Sequence, residues 1–580
     1  MSAIALLVTG FSAFIAGYLV YSRYIAKRIY RLDPDFVTPA HQFEDGVDFV
    51  PTNRHVLFGH HFTSVAGAAP IVGPAIGVIW GWLPAFLWVV LGTIFAGAVH
   101  DFGTLWLSVR HRGNSIGTLT EEIVGPRARV LFLLLIFFLL LMVNAVFAVI
   151  IANLFLANPG AVLPVWGSLV VALVVGLLIY RTGAGILAPS IGALLVLYGL
   201  IWLGQYVPFT LPDFFGLAPT GAQLSAASGD PAAAAQAAAN DGRRIGWILI
   251  LFAYTFVASV LPVWLLLQPR DYVNGHQLFV ALGIISLGVL VTNPPVLAPA
   301  VNLALPSDAP SWFPLLFITI ACGAISGFHG LVASGTSSKQ LDRETDARYV
   351  GYGGALGEGA LALTSILATT AGFALYVGAE GWQEHYASWS SASTGATTAF
   401  VNGVGVLAEG IGIPHAVATI FAAVVVISFA ATTLDTSVRL QRYIIAELGA
   451  EYGIKMIQNR WLATFIAVTS CGLLALGLDR GAGGMRLWPL FGTTNQLLAG
   501  LSLLILTLFL LRLRRPIWIT VVPMGFLLFM TTWAMVLNLL RFVRESQTML
   551  LVVGGGIFAL ELWLLFEGAA AVRRVRSART

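Results

Sequence analysis

Charge is what this sequence has least of. Asp, Glu, Lys and Arg make up 10% of its 580 residues, against 58% hydrophobic. A soluble domain carries roughly 25% charged residues. A chain this poor in charge cannot clothe a surface in water, so most of its surface must face lipid. Cysteine is nearly absent too: Cys322 and Cys471 each sit inside an apolar run. A disulfide framework and a thiolate metal site are thereby excluded. The net charge of +4 is too small to mark a nucleic-acid partner. Enzyme signatures are missing as well, with no phosphate-binding glycine loop followed by Lys, no HExxH and no GxSxG. The first apolar stretch, 3–21, has no basic residue before it and several after it. That is the reverse of a secretory signal, so the stretch is read as a retained helix.

What is present is a succession of long apolar runs. Hydropathy predicts about fifteen spans. They lie near 3–21, 56–80, 83–107, 130–155, 161–180, 184–205, 245–267, 276–296, 313–333, 353–377, 412–434, 461–478, 487–511, 517–539 and 549–568. Alternate loops are basic. They carry Arg23, Lys27, Arg28 and Arg31, then Arg110, Arg112, Arg127 and Arg129, Arg181, and Arg270. Further along come Lys339, Arg343 and Arg348, then Arg439, Arg442, Lys455 and Arg460, Arg512, Arg514 and Arg515, and a tail with Arg573, Arg574, Arg576 and Arg579. The opposite loops 297–312 and 378–411 hold no Lys or Arg. Positive loops stay cytoplasmic, so the N-terminus is expected outside and the C-terminus inside.

Two loops stand out. The outer loop 206–243 contains SAASGDPAAAAQAAAN, expected to be a partly helical surface connection without chemistry. Loop 31–55 holds Asp33, Asp35, Glu44, Asp45 and Asp48. It either packs against the cytoplasmic mouth or is simply solvated.

The stretch 56–81, VLFGHHFTSVAGAAPIVGPAIGVIWG, is long enough to cross a bilayer yet carries Gly67, Pro70, Gly73 and Pro74 in its middle. Such residues open a helix, and freed carbonyls survive in hydrocarbon only against a cavity or a polar partner. Opened helices are how many secondary transporters build substrate and ion sites. A second candidate is 250–268, with Ser259 and Pro262 in mid-span and five spans further on. Two such helices at matching positions of opposite polarity suggest an inverted repeat. Prolines that merely kink helices are the plain alternative.

Five motifs resemble the carbon starvation protein A family. They are DGVDFVPTNRHVLFGHHFTSVAGAAPIVGP (45–74), AGAVHDFGTLWLSVRHRGNSIG (96–117), PLLFITIACGAISGFHGLVASGTSSKQLDRETDARYVGYGG (314–354), FAATTLDTSVRLQRY (429–443) and LWPLFGTTNQLLAG (487–500). The resemblance implies an all-α polytopic inner-membrane nutrient transporter of a prokaryote, related to the amino acid–polyamine–organocation superfamily. Its expected core is a LeuT-like five-plus-five inverted repeat with broken helices, 56–205 and 245–434. Residues 1–55 form an N-terminal helix and loop, 206–244 an extracytoplasmic loop, and 435–580 peripheral helices. Family members are linked to peptide uptake during carbon starvation, and some to pyruvate.

The same resemblance places a coupling cation between the first core helix and the eighth, 313–333. Carbonyls of Ala66 and Ala69 with hydroxyls of Ser334, Thr336 or Ser337 suit a hard cation such as Na⁺. Small polar residues capping a helix end explain the same run. For a coupled proton the candidates are His60, His61 and His329, since imidazole titrates near neutral pH. His100 and Asp101 are read as an anchor, and Glu358 as a partner for a loop arginine, with a proton site as the alternative. Asp435 and Arg439, four apart, are read as a local ion pair. A substrate carboxylate would sit at the half-helix opening near Gly73, lined by Gly67, Ala68 and Pro70, with Asn144, Tyr254 and Ser259 adding hydrogen bonds. Asn495 and Gln496 are expected to hold helices together. The function expected is cation-coupled import, by H⁺ or Na⁺, of peptides or of pyruvate or another small carboxylate. No cofactor or resident metal is expected, and the partners are the lipid bilayer and a small-molecule substrate. A nutrient sensor, or a metal-dependent membrane protein built on His60, His61 and His100, are the readings of another class.

Overall fold

The computed structural model describes residues 2–46, 48–182, 187–228, 230–262, 265–477, 479–481 and 483–577. Arg579, among the basic tail positions, lies outside them. Every extended element is helical: among the described residues the strand-like pairings are the bridges Ser2–Pro295 and Thr52–Leu341. Eleven described helices are long and apolar enough to cross a membrane, or twelve if a pair bent by 49°, Arg54–Val65 with Ala69–Trp80, is one span. Two further apolar helices, Ala188–Gly204 and Arg460–Leu476, are shorter. Composition is the cause, because a helix satisfies its own backbone polar groups where no water can.

The chain divides into two units. One comprises Met1–Leu139, Asn274–His415 and Pro489–Thr580; the other comprises Leu140–Val273 and Ala416–Trp488.

In the first unit, two interrupted segments cross. One is the bent pair. The other runs as Trp312–Thr319, Ala321–Ala324 and Gly327–Gly335, where hydropathy predicts one uninterrupted helix, 313–333. They meet backbone to backbone. A Cβ on Gly73 would lie 2.5 Å from the Thr319 carbonyl oxygen; the next span, Trp82–Arg110, passes the second segment as closely, a Cβ on Gly97 lying closer still to the Ala324 carbonyl oxygen. The stretch 378–411, expected as an outer loop, holds a helix, Trp389–Glu409. Its small residues keep its hydropathy low, yet Ala392, Ala396, Ala399 and Phe400 are buried. Asp308 accepts from Trp389 N at 3.0 Å at its start.

The C-terminal end of Ala69–Trp80 is closed by the loop from Asn293 to Ser311. Asn302 donates from its backbone to Trp80 O at 3.0 Å and from its side chain to Ile79 O at 2.8 Å. At the other end, loop 31–55 packs rather than floats. Asp33 N donates to Glu344 Oε2 at 2.6 Å, and Thr52 N donates to Gln340 O at 3.0 Å. Glu344 also takes Arg110 in a two-pronged pair of 2.5 and 2.7 Å. The acidic groups of the loop itself stay largely exposed; backbone, Thr38 and His41 do the docking, the last two against Asp342.

In the second unit the Ala-rich tract is the opening of a 30-residue helix, Pro231–Val260, begun by the Asp230 cap. Phe155 and Trp247 pack with ring centroids 4.6 Å apart. The Pro231–Val260 helix stops at Leu261, and the next runs Leu267–Thr292. Ser259 and Pro262 therefore stand at a helix end, not in the middle of one broken span. Proline disfavours helical geometry in the residue before it, which is why the helix stops there.

Gly97→Ala should destabilise the protein by about 1–3 kcal/mol, because the new methyl meets backbone that cannot retract. Gly192→Ala, at a helix position with open space around its Cβ, should leave stability unchanged or slightly raised. Thermal melts of the two detergent-purified variants check this; equal melting points would show the crossing to be looser than described.

Candidate functional site

The first interruption follows from its residues. Asn53 caps the helix Arg54–Val65, accepting from His55 N at 2.9 Å. Helical geometry ends at Ala66, whose φ and ψ are −78° and 73°. The second half, Ala69–Gly77, opens with Pro70 in its first turn, where a missing N–H would have had no partner anyway. Pro70 therefore starts a half-helix; it is Pro74, inside it, that strips the Pro70 carbonyl of its helical partner. Gly67, Ala68, Ala69, Pro70 and Gly73 are all buried at this break, as is Ala66.

The second interruption has no proline. Ile325 and Ser326 are extended, with φ of −157° and −132°. A neighbouring helix, Trp488–Arg512, repairs the exposed backbone. Asn495 Oδ1 accepts from Phe328 N at 2.9 Å while its Nδ2 donates to Ser326 Oγ at 3.0 Å. Gln496 Nε2 donates to Phe317 O at 2.7 Å. Both amides act as the helix ties their position suggests.

Beside this crossing lies a chain of buried titratable groups. His100 Nδ1 is 2.7 Å from Asp101 Oδ1, and Asp101 Oδ2 is 2.8 Å from His329 Nδ1. On its other side, His329 Nε2 is 3.0 Å from Glu358 Oε2, a charge contact off the ring's N–H direction. The four residues are 0%, 0%, 2% and 3% exposed. Of the three histidines expected for coupling, His329 lies inside this chain. His61 lies beside it, its Nδ1 2.8 Å from Ser337 Oγ. His60 is half-buried one residue back.

Two of the hydroxyls expected at a cation make local hydrogen bonds. Ser334 Oγ donates to Gly330 O at 2.6 Å and accepts from Ile116 N at 3.1 Å, and Thr336 Oγ1 donates to Val332 O at 2.9 Å. The loop arginine expected beside Glu358 is replaced by His329. Nothing in the local pattern could show this, since Asp101, His329 and Glu358 come from three separate segments. Among the described residues no three His, Cys, Asp or Glu side chains are grouped to hold a metal ion. His329 stands between the two carboxyls, one ring nitrogen toward each.

Asn144, Tyr254 and Ser259 lie in the second unit. Asn144 Nδ2 donates to Gln441 Oε1 at 2.8 Å, and its Oδ1 accepts from Ser437. Tyr254 Oη donates to Asp435 Oδ2 at 2.8 Å, and Asp435 is ion-paired with Arg270. The expected Asp435–Arg439 pair is thus replaced. Arg439 turns instead to the frayed end of the Pro231–Val260 helix, donating to Ala258 O at 3.0 Å and Leu261 O at 2.6 Å. Arg442 donates to Ser259 O at 2.8 Å. The last carbonyls of any helix lack partners, and two guanidinium groups supply them here.

Asp435→Asn strands the Arg270 charge in the interior. It should cost roughly 3–5 kcal/mol, as breaking a buried pair does. The yield of monodisperse protein after graded heating reads the effect, and unchanged survival would count against a shared buried charge.

The family model described as "Carbon starvation protein CstA" matches residues 2–385 and 374–534. Among curated relatives, "Pyruvate/proton symporter BtsT" of Escherichia coli is 32% identical over 613 residues, 93% of this chain and 82% of its own length. "Peptide transporter CstA" of Mycobacterium tuberculosis is 32% identical over 579 residues, 89% of this chain and 72% of its own. A solved manganese transporter chain of Eremococcus coleocola superposes over 92% of this chain and 99% of its own, with a TM-score of 0.46 and 12% identity. Family model and relatives agree: the chain is a multi-pass membrane transporter of the carbon starvation protein CstA family.

Proposed function

We propose that this transporter imports a small organic nutrient across the cytoplasmic membrane, driven by a coupled cation. The observation that carries the proposal is the crossing of two interrupted segments beside a buried acid–histidine chain. Opened backbone supplies unpaired amides and carbonyls where a solute must be held, and titratable groups supply a place for the driving ion. The cargo is a peptide, in line with the name of the CstA relatives, or pyruvate, in line with that of the symporter. Both carry a carboxylate, and the positive end of the half-helix Ala69–Gly77 favours one.

The finer architecture belongs to the same proposal. Each predicted apolar segment has a helix or an interrupted helix in its place, which supports about fifteen crossings. A LeuT-like five-plus-five repeat over 56–205 and 245–434 is supported by the break at Ala66 in the first half. In the second half the break at Ile325 supports it.

Orientation rests on the residues at each end of the first unit. At one end, Arg515 reaches the carbonyls of Ile29 and Tyr30, Arg512 that of Ile123, and Arg574 that of Val124. These are all predicted basic loops, which positive charge keeps in the cytoplasm. At the other end, Ala3 N donates to Pro294 O, so the N-terminus adjoins the loop free of Lys and Arg. We place the N-terminus outside and the C-terminus inside.

Proteoliposomes holding the purified chain, offered labelled pyruvate or a labelled dipeptide, should accumulate one of them under a proton or sodium gradient and not without one. Accumulation of neither would overturn the proposal. For topology, Ser2→Cys in intact cells should react with a membrane-impermeant thiol reagent, the native Cys322 and Cys471 being buried. Labelling only after lysis would invert the orientation.

A further inference from the structure

We propose that the coupled ion is a proton held on the Glu358–His329 pair, with Asp101 and His100 as positioning residues. The inference rests on the transport reading above and names the ion and its site.

A neutral imidazole has one N–H and one lone pair. Both ring nitrogens of His329 face carboxyl oxygens, Asp101 at 2.8 Å and Glu358 at 3.0 Å. With both carboxyls ionised and the ring neutral, one nitrogen lone pair would face an anion at contact distance. The arrangement is attractive on both sides only when one more proton is present. That proton makes His329 an imidazolium between two carboxylates, or neutralises Glu358 beside the ring. The geometry is that of a proton-loaded site.

Net charge points the same way. Two carboxylates with neutral imidazoles place two negative charges in the membrane interior, and burying an uncompensated charge is costly. Among the described residues, the elements around them offer no fixed cation. His61 and Cys322 are the further titratable groups near the cluster, facing it from the Arg54–Val65 and Ala321–Ala324 helices. Arg110, at the far end of the span that carries Asp101, is held by Glu344. Arg348, ahead of the helix that carries Glu358, is held by Ser22 Oγ and Tyr18 O. Lys339 lies over the ring of Phe49. A proton is therefore the charge that can balance this cluster from within its own groups.

A second observation is independent of the first. Glu358 Oε1 is buried and makes no hydrogen bond in the structure, and the same holds for His100 Nε2. Buried polar atoms are normally paired, so such atoms beside one cluster mark a site that exchanges something. Asp101, His329 and Glu358 stand on Ala98–Arg110, Gly327–Gly335 and Gly353–Leu367, so the bridge ties the half-helix to both neighbours. Loss of the proton turns one of its two contacts repulsive and frees the half-helix on that side. In this way a proton bound or lost becomes a change of backbone packing, the element an alternating-access cycle needs.

The test uses the full chain in proteoliposomes with a pH dye in the lumen, comparing wild type with Glu358→Gln. With pyruvate or dipeptide as cargo, wild type should acidify the lumen as cargo enters. It should reach roughly tenfold accumulation per pH unit if one proton accompanies each cargo. Glu358→Gln should lose that accumulation and the acidification. Wild-type accumulation by Glu358→Gln under a proton gradient, or accumulation that follows sodium alone, would overturn the proposal.

Infrared difference spectra across a pH titration judge the site without any cargo. The bands of a protonated carboxyl and an imidazolium should titrate in wild type and be altered in Glu358→Gln. Identical spectra would overturn the proposal even if transport of both cargoes failed, a failure that by itself would remove only the transport reading. Should Glu358→Gln not yield monodisperse protein, His329→Gln and Asp101→Asn take the same measurements. A merely structural role would lower their melting points and leave the proton signal per cargo unchanged.

Discussion

Backbone amides and carbonyls have nowhere to turn in hydrocarbon, and the structure depends on how each break in a helix answers that constraint. At Phe328 the answer is Asn495, which caps a half-helix from a neighbouring one. At Ala258, Ser259 and Leu261 it is a pair of arginines, whose apolar stems suit the interior while their planar heads reach the carbonyls. At Ala75, Tyr386 donates its hydroxyl at 2.7 Å from the segment ahead of the outer helix. Where the chain opens between Ala66 and Ala68, the amides of Ala66 and Gly67 turn back to Phe62 O and Val65 O, and the residues stay buried.

The two units solve the burial of charge differently. In the second, Asp435 faces Arg270 and takes a hydrogen bond from Tyr254. A guanidinium stays protonated at any accessible pH, so that pair is a fixed one whose worth lies in specificity and packing. In the first, Asp101 and Glu358 share a histidine, which can be neutral or cationic. One arrangement holds its charge state whatever the surroundings. The other is built of groups that can each gain or lose a proton, and it sits on a short half-helix between two long elements.

Close approach of glycines is the companion constraint. Gly73 lets the two interrupted segments pass with backbone nearly in contact, and Gly97 does the same for the span Trp82–Arg110 against the second of them. Small residues let helices come together where lipid provides no hydrophobic drive. The close crossing is what brings a break in one segment beside the break in another, and so places an opened backbone near a buried acid.

Much of this is legible in the residues. Scarce charge and long apolar runs determined a many-helix membrane protein, because transfer to hydrocarbon depends on composition. Pro70 marked the start of the second half-helix and so the break before it, because a missing N–H in a continuous helix would strand the Ala66 carbonyl; Pro74 sits inside the half-helix without ending it. The basic loops sort into one set by their charge alone. The tertiary structure decided the rest. The break at Ile325 has no proline and exists because Asn495 is there to cap the half-helix that begins at Gly327. The helix over Trp389–Glu409 has small residues whose burial depends on a neighbour, so its hydropathy is silent. Asp435 left Arg439 for Arg270, and Glu358 found His329, because a buried charge takes the partner that folding brings into reach, and sequence spacing describes only neighbours on the same helix.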